Sequence, residues 1–407
     1  MGHMPAGRRK AIFALVLLAG LALVWEGLGY GTYLLIRGKY FAFKASRTEY
    51  ASNVEKQFSA PNFDPLIGWV MPSAFNDADG TRLAPDNPPG APCLSLYGGS
   101  FVFGAEVEAE FTWGNQLAKR LQCRVSNYGV AGYGTDQAYL RFLHNETDTA
   151  KVVILNVLPE NIMNNVNQDR ALIVQRQLAG PTKPIFYFDQ DGRLRLEPLP
   201  RLTPESYDDY FDNPRRLLKH EFFIPDSGPH AKPRVHFPYA VGVIAALSNK
   251  RLLDSLGSTF LTLPPPYEDL FDPQHPSRAL AVTDAILDEF VMNAGRRGRI
   301  PIVAFQPAAR DFATFLGTGQ WIYAGLYGRC LAKGYHCFDA GTALVESVGA
   351  QQLQRVDGIC RYFCSSPRYL GGHYNNQGNS LLAAVTVRFL VDYLSEAKRA
   401  ARLVQPL

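Results

Sequence analysis

The chain has 407 residues, of which 47% are hydrophobic and 19% charged, so it is not an intrinsically disordered protein and can bury one large core or two smaller ones. The formal net charge is +4 and there is no long basic run, so the charge pattern typical of nucleic-acid binding is missing from the sequence. We therefore expect a folded protein whose partners do not include nucleic acid.

The first element predicted along the chain is a membrane-spanning helix. Between residues 11 and 36 the single charged side chain is Glu26, and about 20 apolar residues suffice to cross a bilayer. The run Arg8-Arg9-Lys10 precedes this segment, as is typical of a cytoplasmic flank. A cleaved signal peptide is the alternative, although residues 22–26 form a poor cleavage site. We predict a retained signal anchor with the bulk of the chain outside the cytoplasm.

Strands and helices alternate farther along the chain, which is typical of a parallel sheet covered by helices on both faces. Strands are predicted at 93–97, 124–128, 151–158, 300–306 and 335–339. Helices are predicted near 112–122, 136–143, 278–295, 321–333 and 377–396. The predicted fold class is α/β, with three layers (α/β/α) built around a central parallel sheet.

The alternation lapses between about 168 and 275, where proline and charged residues are frequent. One hairpin is predicted there, with strands at 185–188 and 194–196. We interpret the segment as an insertion over the active face, not as a second core. The predicted organisation is a cytoplasmic tip and anchor (1–36), a polar, partly helical stalk (37–60) and one domain (61–400) that carries the insertion.

Six cysteines are compatible with three disulfides in an oxidising compartment: Cys93, Cys123, Cys330, Cys337, Cys360 and Cys364. Cys360 and Cys364 are close enough in sequence to pair, and so are Cys330 and Cys337. Because no Cys-x-x-Cys pair occurs and His336 is the one histidine nearby, we expect no metal site.

Four segments, each after a predicted strand or before a predicted helix, carry candidate catalytic residues. They are Tyr97–Gly104 with Ser100, the glycine-rich loop Asn127–Gly134, Pro159-Glu160-Asn161, and Gly371–Gly378 with His373. Loops at the carboxyl ends of parallel strands converge on one crevice. A serine, a histidine that takes its proton, and backbone or amide donors for an oxyanion are the groups that acyl transfer needs.

With these four segments in this order, the chain resembles the SGNH (GDSL-like) hydrolase superfamily. It is similar in particular to membrane-anchored bacterial members with an Asp-Pro-x-x-Gly-Trp segment, here Asp64–Trp69. The resemblance covers residues from about 60 to 395 and implies a flavodoxin-like sheet. It implies that Ser100 is the nucleophile and first oxyanion N–H, and that His373 is the general base. Gly132 would give the second oxyanion N–H, and Asn161 the side-chain donor.

The sequence departs from the family pattern at three places. Gly99 replaces the aspartate of Gly-Asp-Ser, which is not a triad member. Strict alignment of the third segment puts Glu160 at the amide position; because a carboxylate would repel an oxyanion, we prefer Asn161, with Asn164 as a weaker alternative. The aspartate usual just before the histidine is missing, since residues 370 and 371 are leucine and glycine. The site is then either a Ser-His dyad or takes a carboxylate from elsewhere, with Asp339 and Asp357 as candidates.

The resemblance implies a serine-dependent ester hydrolase that needs no cofactor and acts on O-acyl or O-acetyl esters of a carbohydrate or polysaccharide. An O-acetyltransferase acting on an exopolysaccharide, and a non-catalytic polysaccharide-binding or assembly protein, are the alternatives. We expect a single-pass protein of the bacterial inner membrane with its catalytic domain in the periplasm or outside the cell. Trp69, Trp113 and Trp321 are interpreted as core or rim packing instead of sugar-stacking residues.

Overall fold

The structure, a computed structural model, describes residues 6–40, 46–173, 181–224, 235, 237–247, 267–353, 356–364 and 372–404. The chain divides into two compact units. The first is drawn from residues 1–58, 169–181 and 202–266, and the second from residues 59–168, 182–201 and 267–407. The segment 168–275, predicted as an insertion, is divided between the two units.

The second unit contains the central sheet. The strands, in chain order, are β1 (Phe63–Asp64), β2 (Gly68–Trp69), β3 (Leu94–Tyr97), β4 (Val125–Asn127), β5 (Val152–Val157), β6 (Ile185–Phe188), β7 (Leu194–Glu197), β8 (Ile300–Phe305) and β9 (Cys337–Asp339). Among these described strands, β4, β3, β5, β8 and β9 form one sheet in that order, and all neighbours are parallel. The pairs β1–β2 and β6–β7 are antiparallel hairpins. The α/β class and the central parallel sheet predicted from the sequence are confirmed.

Helices from both units are numbered in chain order. They are α1 (Ala6–Tyr40), α2 (Arg47–Ser59), α3 (Ser100–Phe103), α4 (Trp113–Leu121), α5 (Thr135–His144), α6 (Tyr207–Asp212), α7 (Tyr239–Leu247), α8 (Ala279–Arg296), α9 (Ala309–Thr318), α10 (Ala324–Ala332), α11 (Ala340–Val348), α12 (Ala350–Leu353), α13 (Val356–Cys360) and α14 (Asn376–Val404). In the second unit α14 packs along α4 and α11, whereas α5 packs along α8. With right-handed crossovers these two groups lie on opposite faces of the sheet, which gives the predicted three layers.

The core of the second unit lies on both sides of β3. All four residues of β3 are buried, as expected for a strand covered on both faces. Two of them carry hydroxyls, and these bond to one buried carboxylate: Ser95 Oγ donates to Asp148 at 2.7 Å and Tyr97 Oη at 2.8 Å. Arg299 pairs with the same carboxylate at 2.6 Å. The polar groups of this central strand are thus satisfied inside the core.

The first unit joins α2 to part of the insertion. Tyr50 of α2 is fully buried, and its ring lies 5.6, 5.2 and 5.9 Å from the rings of Tyr207, Tyr210 and Phe211. The Tyr50 hydroxyl forms a 2.7 Å hydrogen bond with Ser206 Oγ. The segment predicted as a polar stalk contains α2, which packs against other residues of its unit through this aromatic cluster.

The predicted membrane segment is helical throughout its described length. Residues Lys10–Leu34 of α1 are long and apolar enough to cross a bilayer, and the apolar side chains along this stretch are largely exposed. Length and composition thus allow a membrane span or a signal anchor at this position.

Two disulfides join four of the six cysteines. Cys93 pairs with Cys123, and Cys330 with Cys337, both within the second unit. Among the described cysteines, Cys360 and Cys364 are not joined by a disulfide. Of the two pairings that the sequence spacing allows, Cys330–Cys337 is therefore present and Cys360–Cys364 is not.

Candidate active site

Ser100 lies at the first turn after β3. The chain leaves the strand through Gly98 and Gly99, and Ser100 is the first residue of the short helix α3. The side-chain amide of Asn127 donates a 2.7 Å hydrogen bond to the Val102 carbonyl and so fixes the position of this helix. Among the described contacts, no hydrogen bond is made by Ser100 Oγ, to His373 or to any other residue. The serine is therefore partly exposed on a turn whose backbone is held in place.

Gly99 explains why the usual aspartate is missing from this turn. A Cβ at this position would lie 2.8 Å from the Tyr133 carbonyl oxygen and 3.2 Å from Asn161 Nδ2. The first contact is with backbone and leaves no room for a side chain. Gly99 is thus the point at which the glycine-rich loop after β4 and the polar turn after β5 both approach the turn that carries Ser100.

The strand order places this meeting point at the switch of the sheet. β3 and β5 are neighbours, but the chain leaves β3 towards β4 and leaves β5 in the opposite direction towards β8. Their carboxyl ends therefore open a crevice that helices do not fill, and in open α/β sheets this is where ligands bind. Ser100 follows β3 and Asn161 follows β5, so both residues lie at the edge of the crevice.

Asn161 presents an amide nitrogen without a described hydrogen-bond partner at this crevice. It lies on a single turn of 3₁₀ helix (Pro159–Ile162) and is 4% exposed. Its Oδ1 accepts a hydrogen bond from Asn164 Nδ2 at 3.3 Å, whereas its own Nδ2 has no partner among the described residues. A buried amide N–H without a partner is costly unless a ligand completes it. Asn164 therefore orients Asn161, and the free donor adjoins Gly99.

Glu160, the residue that strict alignment puts at the amide position, belongs to a different environment. Its charge acts on the buried pair Tyr267 and Asp311, and it contributes to raising the pKa of both groups. The Tyr267 hydroxyl donates to Asp311 at 2.9 Å. Glu160 and Asn161 are therefore neighbours in sequence but interact with different groups. Glu160 acts on Tyr267 and Asp311, whereas the amide of Asn161 lies beside Gly99.

The loop that carries Gly132 is held by Trp69 from the segment Asp64–Trp69. The indole N–H of Trp69 donates to the Ala131 carbonyl at 3.0 Å. The Tyr133 hydroxyl donates to the Trp69 carbonyl, and the two rings meet edge to face at 5.7 Å. Gly132 lies between these two fixed residues, with a left-handed backbone at φ 85°. Trp69 was predicted to be a packing residue, and it is in contact with the residues on both sides of Gly132.

His373 packs against Phe101, the residue that follows Ser100 in the chain. The Phe101 and His373 rings lie 4.8 Å apart, and Phe101 also meets the buried Tyr374 edge to face at 5.6 Å. The histidine backbone is fixed by a bridge between Phe363 and Tyr374 and by a 2.7 Å hydrogen bond from the Cys364 N–H to the His373 carbonyl. The predicted base thus contacts the residue next to the predicted nucleophile in helix α3.

Among the described residues, the carboxylate that lies closest to His373 belongs to Glu106, which no sequence pattern indicated. Glu106 Oε2 accepts a hydrogen bond from the His373 backbone N–H at 3.0 Å and lies 3.4 Å from the buried Nδ1 atom of the ring. The ring contact lacks the alignment of a hydrogen bond, so it is an electrostatic contact. Glu106 has φ 69°, an uncommon backbone conformation for a residue with a side chain.

The charge of Glu106 is maintained by this contact. Partial burial raises the pKa of the Glu106 carboxyl, but the His373 backbone N–H, the charge of the imidazole and the Cys364 thiol outweigh it, so this pKa lies below its ordinary value. The side chain is 46% exposed, which weakens the interaction through solvent screening. Glu106 is therefore an ionised group beside the atom of His373 that faces away from solvent.

The two carboxylates predicted for this place lie elsewhere or outside the described residues. Asp339 caps helix α11, where it accepts hydrogen bonds from the Thr342 N–H at 3.0 Å and the Tyr323 hydroxyl at 2.6 Å. None of the described contacts joins it to His373. Asp357 lies on α13, but its side chain is outside the described part of the chain, as are residues 370 and 371. No local sequence signal singled out Glu106, because its position depends on the meeting of two distant loops.

Comparison with known proteins adds one structural likeness. No family model and no curated protein matches the chain. Among solved structures, the chain is similar to a protein from Desulfitobacterium hafniense DCB-2 that is assigned to the lipolytic G-D-S-L family. The identity is 12%, the TM-score is 0.32, and the alignment covers 73% of this chain and 98% of the other. Because this TM-score is low, the assignment of fold class rests on the order and direction of the strands themselves.

Proposed function

We propose that this protein is a serine-dependent ester hydrolase or acyltransferase that works through an acyl-enzyme on Ser100. The observation that carries the proposal is the buried, unpaired Nδ2 atom of Asn161 beside Gly99, next to the turn of Ser100. A donor held in place without a partner is the group that stabilises charge as it develops on a carbonyl oxygen.

In the proposed first step, His373 takes the proton of Ser100 Oγ while this oxygen attacks the carbonyl carbon of an ester. The oxyanion of the tetrahedral intermediate accepts hydrogen bonds from the backbone N–H groups of Ser100 and Gly132 and from Asn161. The intermediate then expels the alcohol, which receives its proton from His373. Glu106 is the positioning residue in this scheme, since its carboxylate faces Nδ1 while Nε2 exchanges the proton.

In the second step an acceptor attacks the carbonyl carbon of the acyl-enzyme while His373 takes its proton. Collapse of the second tetrahedral intermediate breaks the bond to Ser100 Oγ, which takes the proton back from His373. Water as the acceptor gives an esterase, and a sugar hydroxyl gives an O-acyltransferase. We propose an O-acyl or O-acetyl ester of a carbohydrate as the substrate. This choice rests on the resemblance of the four segments to membrane-anchored bacterial hydrolases.

We further propose that α1 anchors the protein in the bacterial inner membrane and that the second unit lies on the periplasmic side or outside the cell. Two observations support this location. The basic run Arg8-Arg9-Lys10 precedes the apolar stretch of α1, as in helices whose amino-terminal end stays in the cytoplasm. The disulfides Cys93–Cys123 and Cys330–Cys337 belong to an oxidising compartment.

A serine-directed fluorophosphonate probe, applied to the full chain in detergent together with an acetyl ester assay, tests the chemistry. We expect labelling at Ser100, and loss of labelling and turnover in Ser100→Ala and His373→Ala. Ser73→Ala, an exposed serine of the same unit, is the matched control and should behave as wild type. A folded wild-type protein that neither reacts nor turns over would instead indicate the non-catalytic polysaccharide-binding protein, and turnover retained in Ser100→Ala would refute the nucleophile.

A further inference from the structure

Helix α7 of the first unit is almost entirely apolar and packs along the membrane-type helix α1. Its nine residues, Tyr-Ala-Val-Gly-Val-Ile-Ala-Ala-Leu, include no charged side chain. The side chains of Tyr33, Val235, Val243 and Ala246 form a buried cluster between the two helices. The ring of Tyr239 lies 4.9 Å from Tyr30 and 5.2 Å from Tyr33. This segment was predicted as part of a polar insertion.

The backbones of the two helices touch at Gly29. A Cβ at this position would lie 2.4 Å from both Cα and N of Ala240. Close backbone approach at small residues is the way helices associate inside membranes, where the hydrophobic effect does not drive them together. Gly31, two residues along α1, has nothing within 4 Å of the same hypothetical atom. The close approach is therefore specific to Gly29.

Glu26, the one charged residue in the apolar stretch of α1, caps the amino-terminal end of α7. Its carboxylate accepts hydrogen bonds from the backbone N–H groups of Tyr239 and Ala240, the latter at 3.1 Å. The first N–H groups of any helix lack partners within the helix, and in hydrocarbon an unsatisfied group costs several kcal/mol. A carboxylate within a membrane helix is itself costly and needs a partner. Each of the two groups therefore satisfies the other.

The opposite side of α7 presents an exposed apolar surface. Phe237 just before the helix, and Val241, Ile244 and Leu247 on it, are exposed by 69, 63, 55 and 42%. α7 lies alongside the stretch of α1 whose apolar side chains are largely exposed, since α7 begins beside Glu26 and reaches Tyr33 farther along. The two helices thus run in the same direction, and α7 has a length of about 13 Å, nearly half of a hydrocarbon core of about 30 Å.

We propose that α7 is a second membrane-embedded element, which lies in the same half of the bilayer as the carboxyl-terminal part of α1. Its exposed side contacts phospholipid acyl chains, and Glu26 and Gly29 hold it against α1. The inference rests on the membrane anchor proposed above and is independent of the chemistry at Ser100. It gives a reason for a glutamate in the anchor, which a simple anchor would not need.

Carbene labelling tests this contact. The full chain is placed in vesicles of phosphatidylcholine and phosphatidylglycerol that contain a phospholipid with a diazirine in its acyl chain, and labelled peptides are mapped by mass spectrometry after illumination. We expect labels on α1 and on the exposed side of α7, with Glu55 and Lys56 of α2 as the polar, water-exposed reference. Labels on α1 but not on α7 would overturn the inference and leave the anchor intact. Labels on neither helix would overturn both.

A matched pair of variants tests the docking. Gly29→Leu places a side chain against the Ala240 backbone and should lower the labelling of α7 relative to α1 at least threefold, whereas Gly31→Leu should leave the ratio unchanged. An unchanged ratio in Gly29→Leu would overturn the docking of α7 at Gly29. Fluorophosphonate labelling of Ser100 in the same vesicles reports separately on the proposed catalytic function.

Discussion

Glu106 Oε2 lies 3.4 Å from Nδ1 of His373, although 267 positions separate the two residues in the sequence. In the family that this sequence resembles, an aspartate shortly before the histidine supplies this carboxylate. Here the carboxylate follows the nucleophile instead, six residues after Ser100. The loop from α3 and the loop before α14 therefore meet to form one half of the proposed triad.

Replacement of Glu106 tests its positioning role. We expect Glu106→Gln to lower kcat by about 10- to 100-fold, less than the ~10⁴-fold loss of a buried triad acid, because this side chain is half exposed. KM should change little, and the conservative variant Glu106→Asp should keep more of the rate than Glu106→Gln. A general loss of structure would produce neither of these results. Because the pKa of Glu106 is lowered, its carboxylate is ionised at neutral pH, where the assay is run. Glu108→Gln, two residues away, is the control.

Variants of Asn161 and Glu160 test which of the two residues occupies the oxyanion-donor position of the third segment. We expect Asn161→Ala to lower kcat by about 100-fold, the usual cost of one oxyanion donor. Asn164→Ala should have a smaller effect, because Asn164 acts only through the Oδ1 atom of Asn161. Glu160→Gln should keep a rate close to wild type. Steady-state kinetics with an acetyl ester measure all three, and a larger loss in Glu160→Gln than in Asn161→Ala would reverse the assignment.

A variant of Trp69 tests whether catalysis requires the hydrogen bond that fixes the loop around Gly132. Trp69→Phe removes the hydrogen bond to the Ala131 carbonyl but keeps an aromatic ring. We expect kcat to fall by about 3- to 10-fold, which corresponds to one neutral hydrogen bond of about 1 kcal/mol. Trp321→Phe is the matched control, since it removes a bond of the same 3.0 Å length, to Thr342, outside the proposed site. Equal rates in the two variants would show that Trp69 contributes packing alone.

Asp311 should make stability depend on pH. Burial, partly opposed by hydrogen bonds from Ala308 and Tyr267, raises its pKa from 3.8 to about 7. A raised carboxyl pKa means that the folded state holds the proton more tightly, so this contribution is fully present below pH 3.8 and is lost as the pH rises to about 7. The full difference can reach about 4 kcal/mol.

Unfolding midpoints measured at pH 5 and pH 8 in detergent, for wild type and Asp311→Asn, test this expectation. Asparagine can accept from the Ala308 N–H and donate to the Tyr267 oxygen, and it does not ionise. The variant should therefore gain stability relative to wild type between pH 5 and pH 8. A difference between the two proteins that stays constant over this range would contradict the raised pKa.

Much of this architecture follows from local sequence patterns. Mostly apolar runs, separated by amphipathic helices, predicted the strands of the parallel sheet, because a strand buried on both faces is rich in apolar residues. The long apolar stretch around Glu26 and the hairpin at residues 185–197 were likewise visible. Helices α9 and α11, which follow closely on β8 and β9, were not predicted.

The candidate catalytic segments were predicted as a set because loops at the carboxyl ends of parallel strands converge. Ser100 and Asn161 lie on such loops, and His373 lies on the loop that leads into α14. Tertiary structure decided everything that depends on contacts between distant segments. It placed Glu106 beside His373, made Asn161 the unpaired donor through its bond with Asn164, and gave Trp69 a hold on the loop of Gly132. It also brought α7 into contact with Glu26 and Gly29 of α1. Local periodicity indicates which face of a helix or strand is buried. The residues that cover this face are determined by tertiary packing, which depends on segments far apart in the sequence.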